Sequence, residues 1–112
     1  MSSLKKLYQG IFPDIAKDGF IAPNAAVIGK VKTGPRSTTF FNTVLGGDVE
    51  AIFVGERSNL QDGIIVHVAG EKHETHIGYN VSIGHNALIH DAILGDSCFI
   101  GMSATIMGNV YC

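Results

Sequence analysis

Several things this sequence lacks narrow what it can be. Tryptophan is absent, and there are only 3 prolines and 2 cysteines in 112 residues. Cys98 and Cys112 are far apart and have no Cys-x-x-Cys partner spacing. A reduced, cytoplasmic protein with no disulfide is therefore the expectation. Charged residues make up only 16% of the chain and the net charge is -2. No basic field exists to hold nucleic acid. No apolar run approaches the roughly 20 residues a membrane span needs, and Met1 to Gly10 contains no signal-peptide core. No stretch shows the 3.6-residue period of an amphipathic helix.

What is present is an apolar fraction of 46% and 14 glycines. The apolar residues recur about every six positions. Ile21-Ala22 and Ile28-Gly29 open the series; Val54-Gly55, Leu60-Gln61 and Val66-His67 follow. Ile77-Gly78, Ile83-Gly84 and Ile89-His90 keep the step. After one step of five, Leu94-Gly95, Ile100-Gly101 and Ile106-Met107 resume it. A period near six fits a chain wound round a prism in short extended segments, three to a triangular turn. The aliphatic residue is expected inside, and the small residue after it to let the backbone turn. The pattern blurs between Ile28 and Val54, where Thr38 to Leu45 reads as strand with an irregular corner near Gly34-Pro35. Ala69 to His76 is polar and charged and reads as a loop or a distorted side. One all-β domain over 1–112 is predicted, with 1–18 as a lead-in and 19–112 as repeats. The chain stops at Cys112 soon after a repeat, so either another chain covers this end or the sequence is a shortened form of a longer one.

Three histidines stand inside the repeats: His67, His85 and His90. A rigid coil can hold such rings at metal-binding geometry, although any one of them alone reads more simply as a hydrogen-bonded core or surface residue. His73 and His76 read as solvated loop residues. Met102 and Met107 read as packing residues, and Cys98 as buried.

The segments Gly46-Gly47-Asp48-Val49-Glu50, Ile52 to Gly63 (with Asn59-Leu60-Gln61-Asp62-Gly63), Val66-His67, Ile77 to His85 and Ile89-His90 resemble the γ-class carbonic anhydrase family. This family lies within the hexapeptide-repeat, left-handed β-helix proteins. The Asn-x-Gln-Asp-Gly segment followed by His, then Gly-His-x4-His, is the specific part. The resemblance implies a single-stranded left-handed parallel β-helix and a homotrimer with metal at the subunit interfaces. His67 and His90 would come from one subunit and His85 from its neighbour. His85 and His90, five apart on a six-residue period, lie on different sides of a corner, which agrees with ligands shared between copies.

The implied activity is hydration of CO2 to bicarbonate by hydroxide generated at a Zn2+ held by three histidines, with Fe2+ or Co2+ equally suited to such a site. Gln61 would sit beside the metal-bound water with Asn59 nearby, orienting nucleophile and substrate. Asp48 and Asp62 could serve as catalytic acids but read more simply as structural or interface carboxylates, with Arg57 a partner for one of them. The sequence departs from the family at Gly46, where an arginine that pairs across the interface is usual. Without it, Asp48 or Asp62 is expected to lose a partner. Glu71 and Glu74 are weak stand-ins for the family's proton-shuttling glutamate, and the family's C-terminal helix has no counterpart. Two other functions fit the repeat: a coenzyme A-dependent acyltransferase or thioesterase, and a non-catalytic trimer stapled by metal.

Overall fold

A computed structural model describes residues 4–6, 10–67 and 74–111, with the side chains of 4–6, 48, 49 and 107–111 outside that description. Its elements in chain order are β1 (Leu4–Lys6), β2 (Asp14–Ile15), β3 (Phe20–Ile21), β4 (Ala26–Thr33), β5 (Thr38–Thr39), β6 (Val44–Val54) and β7 (Asn59–Leu60). They continue with β8 (Ile65–His67), β9 (Thr75–Ile77), β10 (Ser82–Ile83), β11 (Leu88–Leu94), β12 (Phe99–Ile100) and β13 (Thr105–Tyr111). Among the described residues there is no helix.

Every pairing is parallel, and each strand pairs with its counterpart one coil away, so the chain forms a β-helix. The short strands β3, β5, β7, β10 and β12 make the first face. The opening halves of β4, β6, β11 and β13, with β1 and β8, make the second. The closing halves of β4, β6, β11 and β13, with β2 and β9, make the third. β1 pairs with β4 from Leu4 onward, and β2 pairs with β4 at Asp14 and Ile15. Part of the segment read as a lead-in thus already lies in the ladders.

The core is a stack of aliphatic columns. Val27, Leu45, Val66 and Ile89 lie in register on the second face and are fully buried. Leu60 and Ile83 do the same on the first face, and Val54, Ile77 and Leu94 on the third. Each buried side chain of this size contributes about 1.5–3 kcal/mol relative to exposure. The six-residue step places these residues correctly, with one exception. Ile28, expected inside, is half-buried and points outward, because Val27 takes the inward place in its strand.

Two corners have constant length and the third does not. From Thr33, Val54, Ile77 and Leu94 the next face begins five residues on, at Thr38, Asn59, Ser82 and Phe99. Between the second and third faces the step is three residues from Ile28 to Val31, six from Gly46 to Ile52, eight from His67 to Thr75 and two from His90 to Ala92. All the breaks in the sequence period fall at this one corner. His76, read as a loop residue, belongs to β9 and stacks on Phe53 at 4.7 Å, while its Nε2 lies 3.0 Å from Glu74. His73 lies outside the described residues.

Where a glycine after an inward aliphatic is required, the reason differs from the one expected. Gly55 is not in the left-handed region. A Cβ there would lie 2.4 Å from the Gly78 carbonyl oxygen of the next coil, so coil stacking excludes it. The left-handed conformation falls two residues later in these corners, at Arg36, Arg57, Asn80 and Ser97, and at Asn42, Gly63, Asn86 and Ser103 on the other constant corner. This matches the third position of a type II turn.

Met102, expected to pack inside, is 70% exposed, because the residue after Gly101 in this corner points to solvent. The side chain of Met107 lies outside the described residues. Cys98, expected to be buried, packs only half-buried against the core and is disulfide-bonded rather than free. Its partner lies outside the described residues; cysteine spacing alone carries no information about which segments the coils bring together.

Replacing Gly55 by Ala should lower stability by about 1–3 kcal/mol through forced overpacking. Gly101→Ala, whose Cβ would meet nothing within 4 Å, should change it by less than about 0.5 kcal/mol. Thermal melting of the two variants side by side checks both.

Candidate metal centre

The second face carries an outward column in which Ile28, Gly46, His67, His90 and Met107 are register partners on successive strands. Val66 and Ile89 turn inward, so the residues after them must turn outward. The two imidazoles of His67 and His90 therefore stand side by side on adjacent coils. Their ring centroids are 5.6 Å apart and their planes agree to 1°. Both are half-buried, at the last rung before the variable corner.

His85 does not join them. It sits exposed on the corner between the first and second faces, where its Nδ1 lies 3.6 Å from Asp62 Oδ1. Backbone hydrogen bonds stack this corner coil upon coil. The Gly63 N–H donates to the Phe41 carbonyl at 2.9 Å, the Asn86 N–H to the Asp62 carbonyl at 2.9 Å, and the Ser103 N–H to the His85 carbonyl at 2.8 Å. Phe41, Asp62, His85 and Met102 thus occupy equivalent places on successive coils. Among the described residues of one chain, no three His, Cys, Asp or Glu side chains converge as a metal cluster.

Asn59 and Gln61 are two residues apart on the first face, both half-buried and flanking the inward Leu60. They therefore point the same way, beside the Asp62 corner. Asn59 Oδ1 is buried with no hydrogen-bond donor. Arg57 stands at the opposite corner of that face. Its Nε lies 3.8 Å from Glu56, and the exposed pair is worth at most about 1 kcal/mol. Arg57 is thus not within reach of Asp62 in its own chain. Asp62 is neither deeply buried nor lacking a partner, because the corner exposes it and His85 faces it. The loss expected from Gly46 therefore does not fall on it within one chain. The side chain of Asp48 and all of Glu71 lie outside the described residues. Glu74 is engaged with His76 on the third face.

The donor set fits a transition metal. Two imidazoles on adjacent rungs offer nitrogen donors, and the two positions below them in the column, Gly46 and Ile28, bring no competing cation. The Asp62–His85 contact was not read from the sequence, although Leu60-Gln61-Asp62 and Ile83-Gly84-His85 occupy the same place in consecutive repeats. Superposing the repeats coil on coil reveals it.

No family model matches the chain. The mitochondrial γ carbonic anhydrase 1 of Arabidopsis thaliana is 45% identical over 103 residues, covering 88% of this chain. A probable carbonic anhydrase of Methanocaldococcus jannaschii is 42% identical over 92 residues, covering 82% of this chain. The chain belongs to the γ-class carbonic anhydrase-like family. Its length is only part of these relatives: the match spans 38% of the plant protein and 57% of the archaeal one. Among solved structures, a hexapeptide transferase family protein of Anaplasma phagocytophilum superposes with a TM-score of 0.76 at 27% identity, over 95% of this chain and 80% of that one. The γ-carbonic anhydrase-like chain thus has the parallel β-helix expected from its repeats, with a hexapeptide-repeat protein as a structural neighbour. No helix among its described residues is long and apolar enough to cross a membrane.

Because both rings of the pair point outward from the core, His67→Ala or His90→Ala should leave the melting temperature nearly unchanged. Either should weaken zinc binding at least ~100-fold, about 2.7 kcal/mol. Competition against a chromophoric chelator measures the loss.

Proposed function

We propose that the protein is a homotrimeric, metal-dependent carbonic anhydrase that hydrates CO2 to bicarbonate. The observation that carries this reading is the parallel His67–His90 pair, lacking a third ligand among the described residues of its own chain while His85 stands on a corner. A threefold axis parallel to the solenoid carries a corner round without moving it along the axis, so a corner residue meets the coil at its own level. His85 belongs to the same coil as His90, so the partner's His85 would arrive beside the pair. Exposed apolar residues surround this contact: Phe41 two coils below His85, Met102 one coil above it and Ile65 on the second face. Burial of such a patch against another copy accounts for it better than solvent does.

In this arrangement one chain offers a corner with Asn59, Gln61 and His85, and its neighbour offers a face with His67 and His90. A bound Zn2+ supplies a Lewis acid that brings the pKa of water to about 7, making hydroxide available at neutral pH; Fe2+ or Co2+ suits the same donors. The Gln61 carboxamide accepts a hydrogen bond from the attacking oxygen and donates one to a CO2 oxygen, holding the two in line. Asn59 stands on the same edge with its Oδ1 lacking a donor, so a turn of the Gln61 amide toward it would satisfy that oxygen and fix which way the amide faces. Loss of one orienting amide costs about 10²–10³ in turnover at comparable sites. Gln61→Ala should therefore lower kcat for CO2 hydration by a factor in that range, measured by stopped flow, with zinc content unchanged.

The structural likeness to a hexapeptide transferase keeps acyl transfer or thioester hydrolysis as a second reading. A thioesterase screen on the same preparation separates the two. The relatives include a mitochondrial protein, so kinship lends no support to the cytoplasmic location expected from composition.

The decisive test uses two defective variants. His85→Ala spoils the corner and His90→Ala spoils the face, so each alone should be inactive. Co-refolded in equal amounts, they should regain about one quarter of the wild-type sites, because every mixed trimer restores one junction in three. Recovery of no activity, or an active His85→Ala trimer, would rule out the shared site.

A further inference from the structure

We propose that Asp62 is a positioning residue for His85: its carboxylate holds the imidazole through Nδ1 so that Nε2 is presented to the ion. This rests on the shared-metal reading above, but it concerns a contact made wholly within one chain. His85 stands on an exposed corner, where a free imidazole would sample several rotamers and both neutral tautomers. Neither freedom suits a ligand that must meet two rings on another copy. Asp62 Oδ1 lies 3.6 Å from Nδ1, with the two side chains 47% and 46% exposed. That separation is an electrostatic contact slightly longer than a hydrogen bond. A carboxylate is only an acceptor, so it favours the tautomer with hydrogen on Nδ1 and leaves the lone pair on Nε2.

The contact follows from the fold. Asp62 and His85 are equivalent residues of consecutive coils, tied by the Asn86 N–H donating to the Asp62 carbonyl at 2.9 Å. The next residue, Gly63, holds the turn with φ +73, and a Cβ there would lie 2.2 Å from the Asn86 side-chain oxygen. Asp62 therefore has little freedom to leave the corner, and its side chain stays beneath the ring in the next coil. Histidine ligands to metals commonly donate their second nitrogen to a carboxylate. Removing that partner typically weakens binding 10–100-fold without touching a ligand. An isolated exposed ion pair would contribute almost nothing, so the two roles differ in a measurable way.

The experiment is a set of cobalt and zinc affinities of the assembled full-length protein for Asp62→Asn and Asp62→Glu, each in the wild-type and His85→Ala backgrounds. Native mass and melting temperature are recorded alongside. Asp62→Asn should lose 10–100-fold in affinity with assembly intact, Asp62→Glu should recover part of it, and neither should matter once His85 is Ala. In the metal-free protein, 15N NMR of His85 should show the Nδ1–H tautomer dominant in the wild type and a mixture in Asp62→Asn. This readout survives even if a variant assembles poorly. Unchanged affinity and tautomer in Asp62→Asn, or an equal loss with His85 absent, would overturn this role while leaving the shared site intact. A wild-type trimer that takes up no metal would remove both.

Discussion

The register of the parallel ladders is the constraint from which everything else follows. Because each strand pairs with the strand one coil away, residues at the same place in the repeat are carried into columns. The inward columns form the core. The outward columns decide chemistry, since two histidines at the same repeat position must stand side by side. The ring planes of His67 and His90 agree to 1° because two rungs of one ladder share one backbone direction. A slip of a single residue in β8 or β11 would turn one ring into the core and Val66 or Ile89 out to solvent. The burial of those two aliphatic residues therefore also fixes the histidine pair.

The same architecture separates what varies from what must not. Extra residues are admitted only at the corner that follows the histidine rung, where they shift no column. The other two corners keep a constant five-residue step, so the Asp62–His85 column and the Asn59–Gln61 edge stay aligned with the core. This division gives a small solenoid one border of variable step beside its candidate site and two of constant step. With the proposed third ligand, His85, on a constant corner, a single chain would be short of a complete site. Metal binding would then be coupled to association, because the ion would stabilise only the assembled form.

Much of this was legible in the residues. The six-residue aliphatic step marks the inward positions from Val54 to Ile100, and the five-residue spacing of His85 and His90 places them on different sides of a corner. The failures have physical causes. Ile28 was misplaced because Val27 and Ile28 are both aliphatic, and only the ladder with Leu45 and Gly46 decides which faces inward. His76 looked like a loop residue because the polar stretch before it conceals where strand pairing resumes. Met102 looked like packing because composition does not distinguish the inward from the corner position of a repeat. The Asp62–His85 contact joins residues 23 positions apart, and no local pattern announces such a neighbour until the coils are stacked.

The central claim is that one ion is held by two copies of this chain. Anomalous diffraction at the zinc edge, from crystals grown with zinc, tests it most directly. The account requires one peak at each junction between protomers, about 2.0–2.1 Å from nitrogens of His67 and His90 on one chain and His85 on its neighbour. A peak ligated within a single chain, or none at these rings, would contradict it.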